Sequence, residues 1–147
     1  MSLRLWSTHD ALTVVRKFIL AVFVVGVIGT GGDLLLLGHT EDYRQWIPLV
    51  LMGLSLIVLV AHRLTANPAT VRLFQLTMAM FVISGIVGIW FHYQGNLEFE
   101  LEMYPSAKGL ELFKESLAGA SPTLAPGAML QLGLLGLVYT YRHPALG

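Results

Sequence analysis

Four long apolar runs set the pattern of this chain: Phe18 to Leu37, Trp46 to Leu64, Leu73 to His92 and Leu124 to Tyr141. A helix needs about 20 residues to cross the hydrocarbon of a bilayer, and each run is at or near that length. The first is broken by one charge, Asp33; the second keeps its uncharged part short, so Arg63 is expected to snorkel; the fourth lies near the lower limit. The pattern predicts an all-α integral membrane protein, an antiparallel four-transmembrane-helix bundle forming one membrane domain over residues 1–147.

The links between the runs differ in character. From His62 to Arg72 the chain is short and polar, and Asn67-Pro68 suits a turn with proline opening the next helix. The stretch 93–123 is long enough to hold structure of its own. Its residues Leu97 to Met103 alternate apolar and acidic, the period of a strand. Pro105 ends that alternation. Ser106 then suits the cap of an amphipathic helix running to about Leu117, with Leu110, Phe113 and Leu117 on one face and Gly119 as its stop. The expectation is a small outer lid made of a short strand and a helix.

Composition supports lipid as the solvent. Charged residues make up 12 %, hydrophobic residues 55 %, and the mean hydropathy is +0.69. Soluble domains carry about a quarter charged residues, so this chain has too few to cover a surface facing water. Formal net charge is zero, which gives no general attraction to nucleic acid. The absence of cysteine excludes disulfides, thiolate nucleophiles, cysteine-based metal sites and covalent haem attachment.

Lysine and arginine set the expected direction. With the N-terminus inside, the inner segments hold Arg4, Arg16, Lys17, Arg63, Arg72 and Arg142, and the outer ones only Arg44, Lys108 and Lys114. Both ends are therefore expected in the cytoplasm, and short loops suggest a bacterial inner membrane. Tyr43, Trp46, Trp90 and Tyr93 fall at outer helix ends and Tyr139 and Tyr141 at an inner one, as interfacial aromatic belts do. A cleaved leader would end near Thr30-Gly31-Gly32, but the apolar run resumes at once with Leu34 to Leu37.

Several positions carry candidate chemistry. Asp33 is a carboxylate inside a span, where charge costs about 2.5–3.5 kcal/mol at mid-bilayer and less near an interface. Helical spacing puts Gly26, Gly29 and Thr30 on its face, so Asp33 is expected to point at neighbouring helices. Gln75 and Gln131 are single polar residues inside spans three and four, suited to interhelical hydrogen bonds. Ser84, Gly88, Gly133 and Gly136 join Gly26 and Gly29 as small residues suited to helix packing. On the outer side, His39, His92, Glu98, Glu100 and Glu102 offer imidazole and carboxylate ligands for zinc, manganese or iron, although their spacing matches no ligand motif. Facing histidines can also hold haem in a bundle. Here His39 and His92 end two helices outside while His62 and His143 end two inside, shallower than a buried haem requires.

No phosphate loop, nucleophile elbow or HExxH motif occurs, and Gly-Leu-Ser-Leu around Ser55 lacks the second glycine of an elbow. The cofactor is left unknown. The functional expectation is a non-catalytic subunit or accessory partner of a larger membrane complex, touching lipid and another membrane protein or a second copy of itself. The alternatives are proton or metal-cation transport through Asp33 and the outer histidines and glutamates, and a haem-bearing electron carrier.

Overall fold

The computed structural model describes residues 8–146. Among them are five α-helices: α1 (Thr8–Leu36), α2 (Tyr43–Thr65), α3 (Pro68–Met103), α4 (Gly109–Ala118) and α5 (Gly127–Thr140), followed by a closing 3-10 turn, Pro144–Leu146. Helices α1, α2 and α3 are long and apolar enough to cross a membrane, and α5 is a shorter apolar helix. Helices are the protein's regular structure, and no strand occurs among the described residues.

The helix ends follow from local chemistry. Asp42 caps α2, its carboxylate accepting from Arg44 N–H at 2.7 Å, while the Gln45 side chain accepts from the Glu41 and Asp42 N–H groups. This reciprocal box satisfies donors that a helix start leaves orphaned. Ala66 closes α2 in the left-handed region, and Asn67 caps α3 by accepting from Ala69 N–H at 2.8 Å with Pro68 in the first turn. Proline there loses nothing, because its missing N–H has no helical partner at that position.

The core lies where all four long elements meet. Phe23 and Val27 of α1, Met52, Val58 and Leu59 of α2, Phe74, Met78 and Phe81 of α3, and Met129 and Leu132 of α5 are buried together. Phe23 sets its ring edge-on to Phe74 at 5.5 Å and lies 6.1 Å from Phe81. Helices α3 and α5 run antiparallel along a seam of glycines. A Cβ on Gly85 would lie 2.6 Å from the Leu130 backbone nitrogen, and one on Gly133 would lie 2.8 Å from the Met78 carbonyl oxygen. Gly136 sits against Met78 and Phe74, Gly88 against Pro126, and Gly26 of α1 against Leu132. Small side chains let the backbones approach this closely.

Two expectations are corrected here. The alternating stretch Leu97 to Met103 is not a strand; it is the last two turns of α3. Leucine, glutamate and methionine are strong helix formers, and no proline lies between Phe91 and Pro105. Extending an existing helix costs far less than starting a strand that has no neighbour to pair with. The amphipathic helix that follows begins at Gly109 and not at Ser106, and its cap position, Lys108, makes no side-chain cap bond. It ends at Ala118, with Gly119 next.

Candidate functional site

The end of the bundle that carries α4, the outer one by the expected topology, is built around Asn96. Its side chain is buried, and its amide nitrogen lies 3.0 Å from Ser116 O, 2.7 Å from Ser121 O and 2.9 Å from Thr123 Oγ1. Its amide oxygen accepts from Ser121 N–H at 3.0 Å. Gly119 packs on the same side chain, so close that a Cβ would lie 2.6 Å from Asn96 Cγ. One residue of α3 thus fastens the end of α4 and the whole turn leading into α5. Beside it, Ile86, Ile89, Trp90, Tyr93, Phe113, Leu117 and Thr123 line an apolar groove of about 390 Å³ between α3 and α4. Tyr93 and Phe113 touch across it, with ring centres 5.9 Å apart.

The same turn orients a histidine. His92 Nδ1 lies 3.1 Å from the Pro122 carbonyl oxygen. A carbonyl only accepts, so this nitrogen carries the proton, and neutral His92 is left with its lone pair on Nε2. His39, in the link after α1, faces it with ring centres 6.4 Å apart and planes tilted by 47°. Burial, and then the neighbouring His92, push the His39 pKa below its ordinary value, which favours the uncharged ring.

The three glutamates do not join this pair as a set. On a strand they would share a face; on the helix that forms, Glu98 and Glu102 are one turn apart while Glu100, two residues from each, falls on another side. Among the described residues no group of three or more His, Asp or Glu side chains is placed to hold a metal ion.

Within the spans, Asp33 is exposed on α1, which corrects its expected orientation toward neighbouring helices. Phe23 and Val27 turn inward and Gly26 and Gly31 approach Leu132 and Met52, but the packing that Gly26 makes does not continue along its face, where Gly29 and Asp33 are exposed. Nothing lies within 4 Å of a Cβ built on Gly29. Thr30 and Ser84 are half-buried and Gln131 is exposed. Gln75 donates to Thr140 Oγ1 at 3.3 Å, linking α3 to α5. The buried hydroxyls of Ser55 and Thr77 are spent on carbonyls of their own helices, Met52 O and Leu73 O.

The opposite end, the inner one by the expected topology, has a second histidine pair. His62 and His143 meet edge to face, with ring centres 5.1 Å apart. Thr70 Oγ1 donates to Asn67 O at 2.6 Å, so it must accept from His62 Nδ1, 2.8 Å away. His143 is the other tautomer. Its Nδ1 accepts from Ala145 N–H at 3.2 Å, leaving the neutral ring's proton on Nε2. Burial, then His62, then Arg16 lower the pKa of His143. Arg16 itself reaches from α1 to the carbonyls of Tyr141 at 3.0 Å and Arg142 at 2.6 Å, placing a cation on the C-terminal end of α5.

Sequence reasoning missed Asn96, Ser116 and Thr123 entirely. The signal that would have found them is the cluster Ser116, Ser121 and Thr123 opposite a lone asparagine, once residues 96–103 are read as helix. Comparison with family models, curated proteins and solved structures finds no match to this chain. The class is therefore defined by the fold alone: a helical protein with three candidate membrane-spanning helices and a shorter apolar fourth.

Proposed function

We propose that this chain is a non-catalytic membrane subunit with four crossings, α5 being the fourth, and with both ends in the cytoplasm of a bacterial inner membrane. Its work is to bind another membrane protein, or a second copy of itself, through the open face of α1. The six inner cations against three outer ones support the direction. The observation that carries the docking is the exposed carboxylate of Asp33 beside unpacked Gly29 on a helix that buries few of its side chains against the rest of the chain. A carboxylate against lipid is unfavourable. A donor on a neighbouring helix removes that penalty, and the bare glycine lets the helix come close.

A transport reading needs a polar path across the bundle. Phe23, Phe74, Phe81 and Met78 fill its middle, and the hydroxyls nearest them are already bonded to backbone. The docking reading needs no such path.

Extraction in a mild detergent, followed by mass analysis of the intact species, tests the proposal. The wild type is expected to emerge with a partner or as an oligomer. Asp33→Leu and Gly29→Leu are expected to emerge alone with their helix content intact. A wild-type chain that is monomeric and unaccompanied in every mild detergent ends the docking idea.

A further inference from the structure

We propose that His39 and His92 form a two-imidazole binding site for a late first-row transition-metal cation, copper(II) ahead of zinc, with water completing the coordination. The separation of the rings is the first argument. With metal–nitrogen bonds of about 2.0–2.1 Å and roughly 1.2 Å from ring nitrogen to ring centre, two imidazoles on opposite sides of one ion have centres about 6.4 Å apart. The observed separation is 6.4 Å. The inner pair, in edge-to-face contact, has its ring centres closer, at 5.1 Å.

The second argument is the proton on His92. Metal-bound histidines commonly donate their other N–H to a backbone carbonyl, which fixes the tautomer and aims the free nitrogen. His92 does this to Pro122. Pro122 is itself held, because Asn96 grips both the N–H and the carbonyl of the preceding residue, Ser121. The support thus runs in layers from Asn96 through the turn to the imidazole. His39 completes the pair as a half-buried ring facing His92.

The inner pair is a built-in contrast. Both nitrogens of His143 are committed in its neutral form, one accepting from Ala145 and the other carrying the proton, so that ring offers no lone pair. Two histidines side by side are thus not enough, and the outer pair differs in the feature that matters. Imidazole ligands suit zinc, copper and nickel, and copper(II) stands highest in the general order of affinities. Arg44 lies over the Phe91 ring at 4.9 Å, and Glu41 and Asp42 follow His39 in sequence.

The test uses the full chain without a histidine tag, purified in detergent and titrated separately with copper(II) and zinc(II) salts. One equivalent per chain is expected to bind, copper more tightly than zinc. His39→Ala or His92→Ala is expected to weaken binding about tenfold or more, since one of two protein donors is gone. The double variant His62→Ala/His143→Ala is expected to bind like the wild type. Paramagnetic resonance of the copper-loaded wild type needs no variant and is expected to show two coupled imidazole nitrogens. Absence of binding at one equivalent, a signal with fewer than two nitrogens, retention in the His39→Ala/His92→Ala double variant, or loss in the inner double variant would each overturn the site.

Discussion

At Asn96 one side-chain amide serves two backbone carbonyls, a hydroxyl and a backbone N–H. Replacing it by alanine removes the partner of both the Ser121 N–H and the Ser121 carbonyl and empties the buried side-chain site, while the Thr123 hydroxyl keeps its bond to Ser116 O at 3.2 Å. Unmet buried groups cost about 1–3 kcal/mol each, so Asn96→Ala is expected to destabilise the outer end by about 2–4 kcal/mol. Limited proteolysis between Tyr104 and Thr123 checks this, with cleavage expected to rise sharply while the remaining helices stay resistant. At His143 the expectation concerns pH. Its folded pKa lies below the ordinary 6.5, so on acidification the unfolded chain takes up the proton first. The stability tied to the neutral ring is complete above about 6.5 and falls as pH drops through the folded pKa. Thermal unfolding in detergent between pH 8 and pH 5 should show this slope, to which His39 adds in the same direction, and His143→Gln should reduce it.

Among the elements, α3 shows both the reach and the limit of pattern reading. Asn67-Pro68 marks its start in the sequence because capping and fixed φ are local chemistry, and the structure opens α3 there. Its end was hidden, since a period-two alternation of leucine and glutamate suits strand and helix alike until a neighbour decides. No second strand was available, and the helix ran on to Met103. Asp33 illustrates a different gap: helical spacing tells which residues share its face, but not how far along that face the contact with α5 extends. Glycines sort in the same way. Gly85 lies against backbone, whereas nothing lies within 4 Å of a Cβ on Gly53. Gly85→Ala is expected to lose about 1–3 kcal/mol by overpacking, and Gly53→Ala to gain about 0.5–1 kcal/mol by stiffening an open helix. Reversible unfolding in mixed micelles reads both.

At the scale of the whole molecule, the two ends are organised by different means. The outer end is tied by a neutral amide and two ordered turns, the inner end by the Arg16 guanidinium drawn onto the last carbonyls of α5. That division was only partly legible. The charge asymmetry of the loops is a property of composition, while the Arg16 clasp joins residues 125 and 126 positions apart, which no local signal anticipates. Both histidine pairs were suggested by helix ends at matched depth, and the structure places each pair in proximity. The tautomers that distinguish them depend on Pro122, Thr70 and Ala145, whose bonds appear only after folding.

The contrast in length between α3 and α5 reaches beyond the protein itself. At about 1.5 Å per residue, the 36 residues of α3 extend about 54 Å and the 14 of α5 about 21 Å, against a hydrocarbon layer about 30 Å thick. With α5 as a crossing, the leaflets beside it must pinch inward, helped by the apolar turn before it. The protein then carries a thinned, deformed annulus on one flank only. Such an annulus is relieved when two pinched flanks share it, and thinner bilayers suit the chain better than thick, sterol-rich ones.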